Sequence, residues 1–238
     1  MGVDAYSWPG SDDELVEVQY TLAADAEAAL AAQPWTFDGQ PAVGGCFVAF
    51  ARGESGPGHR GDRAWAAAVS LRGRAIVAQS VAVQQVPAAY APGLLARREG
   101  PILQAAVGDL RPGPDVLLVD ATGLDHPRGA GLALHLGAIL GVPTVGVTHR
   151  TLVASGAVPE HLRRGATAPV YVRDRCVGYW VCTKTAARAV VAHAGWRTSP
   201  ETAAETVLAA SSSRARTPLP LRHARRVART TRASAGAG

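Results

Sequence analysis

The segment "DVLLVDATGLDHPRGAGLALHLGAILGVPTVGV" (115–147) constrains the fold more than any other part of the chain. Two apolar runs, 116–119 and 144–147, are too short for core helices and are bounded by Pro, Gly and Asp, so they read as buried strands. Between them "GAGLALHLGAILG" (129–141) has the small residues of a tightly packed helix. A strand, a helix and a second buried strand in that order place helices on the faces of a sheet.

The remaining elements extend this plan. From 12 to about 32, Leu15, Val18, Leu22, Ala26 and Ala29 recur at helical spacing. Three strand candidates follow at 42–51, 63–71 and 74–86, the last two joined by a short "RGR" turn that predicts a hairpin. Residues 94–110 keep helical periodicity despite Gly100-Pro101. "APVYVR", "CVGYWVCTK" and "AARAVVAHAG" read as a further set of strands. Ser199 is an N-cap candidate for a helix, and a last helix starts near Pro220. The sum is a mixed sheet with helices on its faces, in one α/β domain of 238 residues. "RGESGPGHRGD" (52–62) is a low-complexity loop expected to be disordered.

Composition narrows the partners. No apolar run reaches membrane-spanning length, and the acidic start "MGVDAYSWPGSDDELVE" lacks a signal-peptide apolar region. Three scattered cysteines without metal-like spacing fit reduced thiols, which points to a cytoplasmic protein. The net charge is +5, and after Glu205 the chain carries Arg214, Arg216, Arg222, Arg225, Arg226, Arg229 and Arg232 with no acid. A phosphate-bearing partner and a solvated arginine-rich tail both fit that pattern.

Ligands of α/β sheets sit at the carboxyl ends of the strands. Asp120 lies at such an end, where a carboxylate can ionise while the sheet holds its backbone; Asp-x-x-Gly also serves as a plain turn. Glu99 in "RREGP" and the pair Asp125-His126 lie nearby in sequence. Two carboxylates with a histidine or water suit a hard cation, because Mg²⁺ takes few protein oxygens and keeps several waters. Such an ion activates water against a phosphodiester. Glu99 also fits a solvated helix position, and His126-Pro127-Arg128 a helix lead-in.

"YAPGLLARREGPIL" (90–103), the block 114–147 and "PLPLRHAR" (218–225) resemble the endonuclease V family, inosine-directed nucleases with an RNase H-like fold. The resemblance runs in order from about residue 14 to 230 and is densest across 90–147. It implies an α/β, RNase H-like mixed β-sheet flanked by helices as a single domain over 12–231, with 1–11 and 232–238 as flexible ends. It also implies cleavage of DNA or RNA at the second phosphodiester 3′ to a deaminated purine, with Mg²⁺ or Mn²⁺. By that resemblance Glu99 and Asp120 are metal carboxylates and His126 is the histidine of the His-Pro-Arg segment. Tyr90 is the wedge beside the lesion, on a loop kept by Pro92 and Gly93. Gly123 and Gly131 fall on family glycines, and Arg128 joins the expected nucleic-acid contacts.

The departures fall on the catalytic set. The family's first strand reads Gly-x-Asp-x-x-Phe, whereas "GGCFVAF" puts Phe47 at the aspartate, with no acid between Asp38 and Glu54. The family's lysine after the later strand becomes His149, or Arg150 with a one-residue shift. Its loop histidine becomes Thr122, and a Gly-His histidine becomes Trp196. Phe47 offers no oxygen and dries the pocket, which weakens a metal site. His149 can still donate to a phosphate as a switchable cation, and Trp196 can stack on a base. Asp125 either returns an oxygen to the site or, the better-supported option, pairs with Arg128 as an exposed loop acid.

Residues acting as a unit fail as a unit. The expectation is therefore an endonuclease V-like nucleic-acid-binding protein with a degenerate metal site, Glu99, Asp120, His126 and His149 being what remains of the catalytic set. Mg²⁺ or Mn²⁺ would bind weakly, and neither a membrane nor an obligate protein partner is implied. The alternatives are an active Mg²⁺-dependent endonuclease and an interaction protein that kept only the scaffold.

Overall fold

A computed structural model of the chain describes residues 6–51 and 58–235. Residues 52–57, most of the loop expected to be disordered, and the ends 1–5 and 236–238 lie outside the described residues. The elements follow the order α1 (Asp12–Ala32), β1 (Ala42–Phe50), β2 (Arg63–Arg72), β3 (Ala75–Gln85), α2 (Leu95–Gly108), β4 (Val116–Val119), α3 (Leu132–Leu140) and β5 (Thr144–Thr148). They continue with β6 (Thr167–Val172), β7 (Arg175–Val181), β8 (Val190–Ala194), α4 (Pro200–Ala209) and α5 (Leu219–Ala235).

The eight strands form one sheet in the order β3-β2-β1-β4-β5-β8-β7-β6. β1, β4 and β5 run parallel at its centre, and the other pairs are antiparallel. The continuous apolar run 116–119 is explained by this position, because a central parallel strand is covered on both faces. Leu117 and Val119 meet Leu103 of α2 and Leu136 of α3, while Val116 and Leu118 meet Val207 of α4 and Leu221 of α5. The same alternation carries Asp120, the next residue, to the α5 side.

Local chemistry sets the helix ends. Ser11 and Glu14 form a reciprocal capping box on α1, with three acids in its first turn. Ser199 caps α4 by accepting from the Thr202 amide. Residues 6–11, placed by sequence in a flexible lead, are packed instead. Tyr6 donates to Asp25 and Trp8 to Gln104, and the Trp8 ring lies where a side chain on Gly100 would stand. α5 continues past 231 to Ala235.

α5 is held flat on β1 and β2 by Leu221, Ala224 and Ala228. Its start comes so near β1 that a Cβ on Gly45 would sit 2.5 Å from the Pro220 carbonyl carbon. That close approach brings α5 to the carboxyl end of β4. No described helix is long and apolar enough to cross a membrane.

Candidate metal centre and nucleic-acid interface

Asp120 stands at the carboxyl end of β4 with its side chain 30% exposed. Glu99 reaches the same place from α2. Both carboxylates line a cavity of about 300 Å³ with Cys46, Phe47, Phe50 and Val119. Burial and the Asp120 charge push the Glu99 carboxyl up to about 7, against the opposing charge of Arg98. Burial also raises the Cys46 thiol, so it stays protonated and inert.

Phe47 occupies this cavity's wall, and what it faces is a cation. The Arg225 guanidinium lies 4.9 Å from the Phe47 ring centre and donates to Asp120 Oδ2 at 2.8 Å. Arg229 stands 5.8 Å from the same ring. Among the described residues no three His, Cys, Asp or Glu side chains are grouped so as to hold a metal ion. Glu99 and Asp120, the latter paired with Arg225, are the carboxylates this cavity offers; they would hold a hard divalent ion that keeps several waters.

A second cavity, of about 240 Å³, also borders Asp120 and is lined by Gln19, Tyr90, Pro92, Gly93, His126 and Thr148. Tyr90 is 46% exposed at its mouth. Three side chains hold the loop behind it through the Gly93 carbonyl, which accepts from Gln19 Nε2 at 3.1 Å, Arg128 Nη2 at 2.8 Å and His126 Nε2 at 3.1 Å. The Arg128 amide donates to His126 Nδ1 at 3.3 Å, which fixes a neutral tautomer with its proton on Nε2. Burial and the Arg128 charge push this imidazole down to about 4. Arg128 Nε also donates to Gln19 Oε1. His126 and Arg128 thus position the Tyr90 loop.

The other sequence-predicted residues fall in different settings. His149 follows β5 and is exposed; burial and the charges of Arg216 and Arg225 lower its pKa, while Asp120 raises it. Gly123 packs so tightly on the Ala194 carbonyl that no Cβ fits there, which closes the loop after β4 onto β8. Trp196 is 8% exposed and meets Tyr6 edge-on at 5.8 Å, so it is core and has no free face for a base.

Asp125 is neither an exposed partner of Arg128 nor an oxygen free for a cation. It is fully buried and accepts from the amides of Leu152, Val153 and Ala154 at 2.7–2.8 Å, with His193 Nδ1 3.5 Å away. A carboxylate satisfied by three amides anchors the loop after β5. The sequence reading missed Gln19, His193 and the pairing of Arg225 with Asp120. For Arg225 a signal existed: Leu221, Ala224 and Ala228 define the buried stripe of α5, and Arg225 borders it.

Three parallel central strands with carboxylates gathered at their carboxyl ends, flanked by antiparallel edges, define an RNase H-like α/β domain. The family model described as Endonuclease V matches residues 29–226, and the chain belongs to that family. Endonuclease V of Roseiflexus sp. is 36% identical over 154 residues, spanning 64% of this chain and 69% of that protein. That of Rhodospirillum centenum is 35% identical over 178 residues, 74% of each. The crystal structure of endonuclease V from Streptomyces avermitilis superposes with a TM-score of 0.84 at 31% identity, covering 97% of this chain and 96% of that one. The catalytic domain of human endonuclease V gives 0.78 at 29% identity, covering 95% and 99%. Endonuclease V enzymes are in general metal-dependent nucleases.

Proposed function

We propose that this protein binds nucleic acid in the manner of endonuclease V but has a degenerate centre for cutting phosphodiesters. The observation that carries the reading is the Phe47–Arg225–Asp120 contact: an aromatic ring and a guanidinium stand beside the strand-end carboxylate. Binding falls to the Tyr90 loop. The exposed phenol ring enters between neighbouring bases, and the adjoining cavity receives a displaced base, with unstacking offset by contacts inside. Gln19, His126 and Arg128 keep the loop rigid, so little ordering is left for the moment of binding. His149 stands near Asp120 and Arg225, where it can donate to a phosphate.

A second reading, an active Mg²⁺-dependent endonuclease cutting at the second phosphodiester 3′ to inosine or deoxyinosine, is favoured by one observation. Glu99 and Asp120 share a cavity with room for water.

The test is a labelled single-stranded or duplex oligonucleotide with one inosine, incubated with Mg²⁺ and separately with Mn²⁺. Binding without cutting, weakened at least tenfold in Tyr90→Ala, is the expected result. Cleavage that Asp120→Asn abolishes would overturn the degenerate-centre reading in favour of the second.

A further inference from the structure

A charged groove of about 650 Å³ runs along α5, outside the two cavities. Five arginines line it: Arg216 from the segment before the helix, and Arg222, Arg225, Arg226 and Arg229. Thr217, Thr230 and Ser234 add hydroxyls, and no acid takes part. Arg222, Arg226 and Arg229 are exposed and follow one another at helical spacing, spanning roughly 10 Å at 1.5 Å per residue. With no acid after Glu205, this ridge has no local counter-charge on its own helix. Like charges so arranged repel one another and gain most from an anionic partner. The Nε atoms of Arg216 and Arg225 are buried without a hydrogen-bond partner among the described residues.

Arg225 joins this groove to the strand ends. One side of its guanidinium pairs with Asp120 and stacks near Phe47, and the residue also lines the groove. It brings a permanent positive charge to the carboxylate, held by the fold and unable to dissociate. A guanidinium fork also matches phosphate oxygens with two parallel N–H bonds, which suits it to a phosphodiester.

We propose that Arg225 is the resident cation of this site, and that with Arg216, Arg222, Arg226 and Arg229 it binds the phosphodiester backbone of a nucleic-acid strand without a divalent metal ion. The proposal rests on the nucleic-acid reading above and adds to it a second contact surface, on the opposite face of the sheet from α2, and independence from metal. The strand runs from the Tyr90 loop over the end of β4 and along α5. Phe47 makes the arrangement possible: an aspartate there would compete with the backbone phosphate for Arg225, whereas the ring face supports the cation.

The experiment is fluorescence anisotropy with a labelled single-stranded oligonucleotide, in EDTA and separately in Mg²⁺, across a range of salt. Wild-type affinity is expected to be the same within about twofold in both buffers. Arg222→Gln/Arg229→Gln, which leaves Asp120 paired and the buried stripe of α5 intact, is expected to weaken binding on the order of tenfold. It should also flatten the salt slope by about 1.4, two phosphates at 0.7 each. Arg225→Gln is expected to weaken binding in EDTA by a similar factor, and Arg74→Gln, on the distant β2–β3 turn, to leave it unchanged. Binding that needs Mg²⁺, or that survives the double substitution with its salt slope intact while Tyr90→Ala abolishes it, would overturn the resident cation and leave the nucleic-acid reading standing. Absence of binding at low salt in both buffers would overturn both.

Discussion

Phe47 and Arg225 act as a pair at the level of single residues, and changing either alone leaves the other badly placed. Without the ring, Arg225 loses the surface it rests on; without Arg225, Asp120 becomes an uncompensated carboxylate beside Glu99. The combined change Phe47→Asp with Arg225→Ala removes the ring and the guanidinium and adds an oxygen donor. That variant is expected to bind Mn²⁺ in calorimetric titration, and the wild type to give no binding heat under the same conditions. If the wild type takes up Mn²⁺ stoichiometrically, the centre is not degenerate. The place of Phe47 on the first strand was plain in the sequence, because a register argument on one strand suffices to set it. Its consequence was not, because the arginine that answers it comes from a distant part of the chain and meets it across a strand and a helix. Asp125 was misread for a related reason. A loop acid looks exposed until the three amides that bury it, all from the loop after another strand, are in place.

At the scale of elements, the order of strands and helices was legible from apolar runs and small-residue patterns, since both report burial on one face or two. The close seat of α5 on β1 was not, because glycine in a strand signals a close approach without saying to what. Gly45 settles it: a methyl group there would strike the Pro220 backbone and push the start of α5 off the sheet. Gly45→Ala is expected to cost about 1–3 kcal/mol, the range for overpacking a tight contact, read as a lower midpoint in urea unfolding at unchanged slope. Because Arg225 rides on that helix, the same variant should also weaken oligonucleotide binding in EDTA. Gly108→Ala on the exposed end of α2, where a Cβ meets nothing within 4 Å, is the matched control and should leave both readouts unchanged.

For the molecule as a whole, buried histidines tie stability to pH. His135 is fully buried, packs 4.4 Å from the Trp8 ring and donates from Nε2 to the Tyr6 carbonyl, and burial pushes it down to about 4. Below the ordinary histidine pKa of 6.5 the unfolded chain takes up a proton that the folded one refuses. Its contribution is therefore present above about 6.5 and is lost as pH falls toward 4, by up to about 3 kcal/mol at 1.36 per pKa unit. His193 and His126 shift in the same direction and steepen the decline. Urea melts at pH 7, 5.5 and 4.5 are expected to show it, with a shallower fall in His135→Gln. An equal slope in that variant would mean that His135 is protonated in the fold.

The seat of α5 also joins distant parts of the chain at one charge. Phe47, Glu99 and Asp120 all belong to segments made before α5, and the guanidinium that neutralises Asp120 is made after every strand of the sheet. The charge balance at the end of β4 is therefore shared between the middle of the chain and its last helix, and any change that lifts α5 from the sheet leaves Asp120 without its counter-charge.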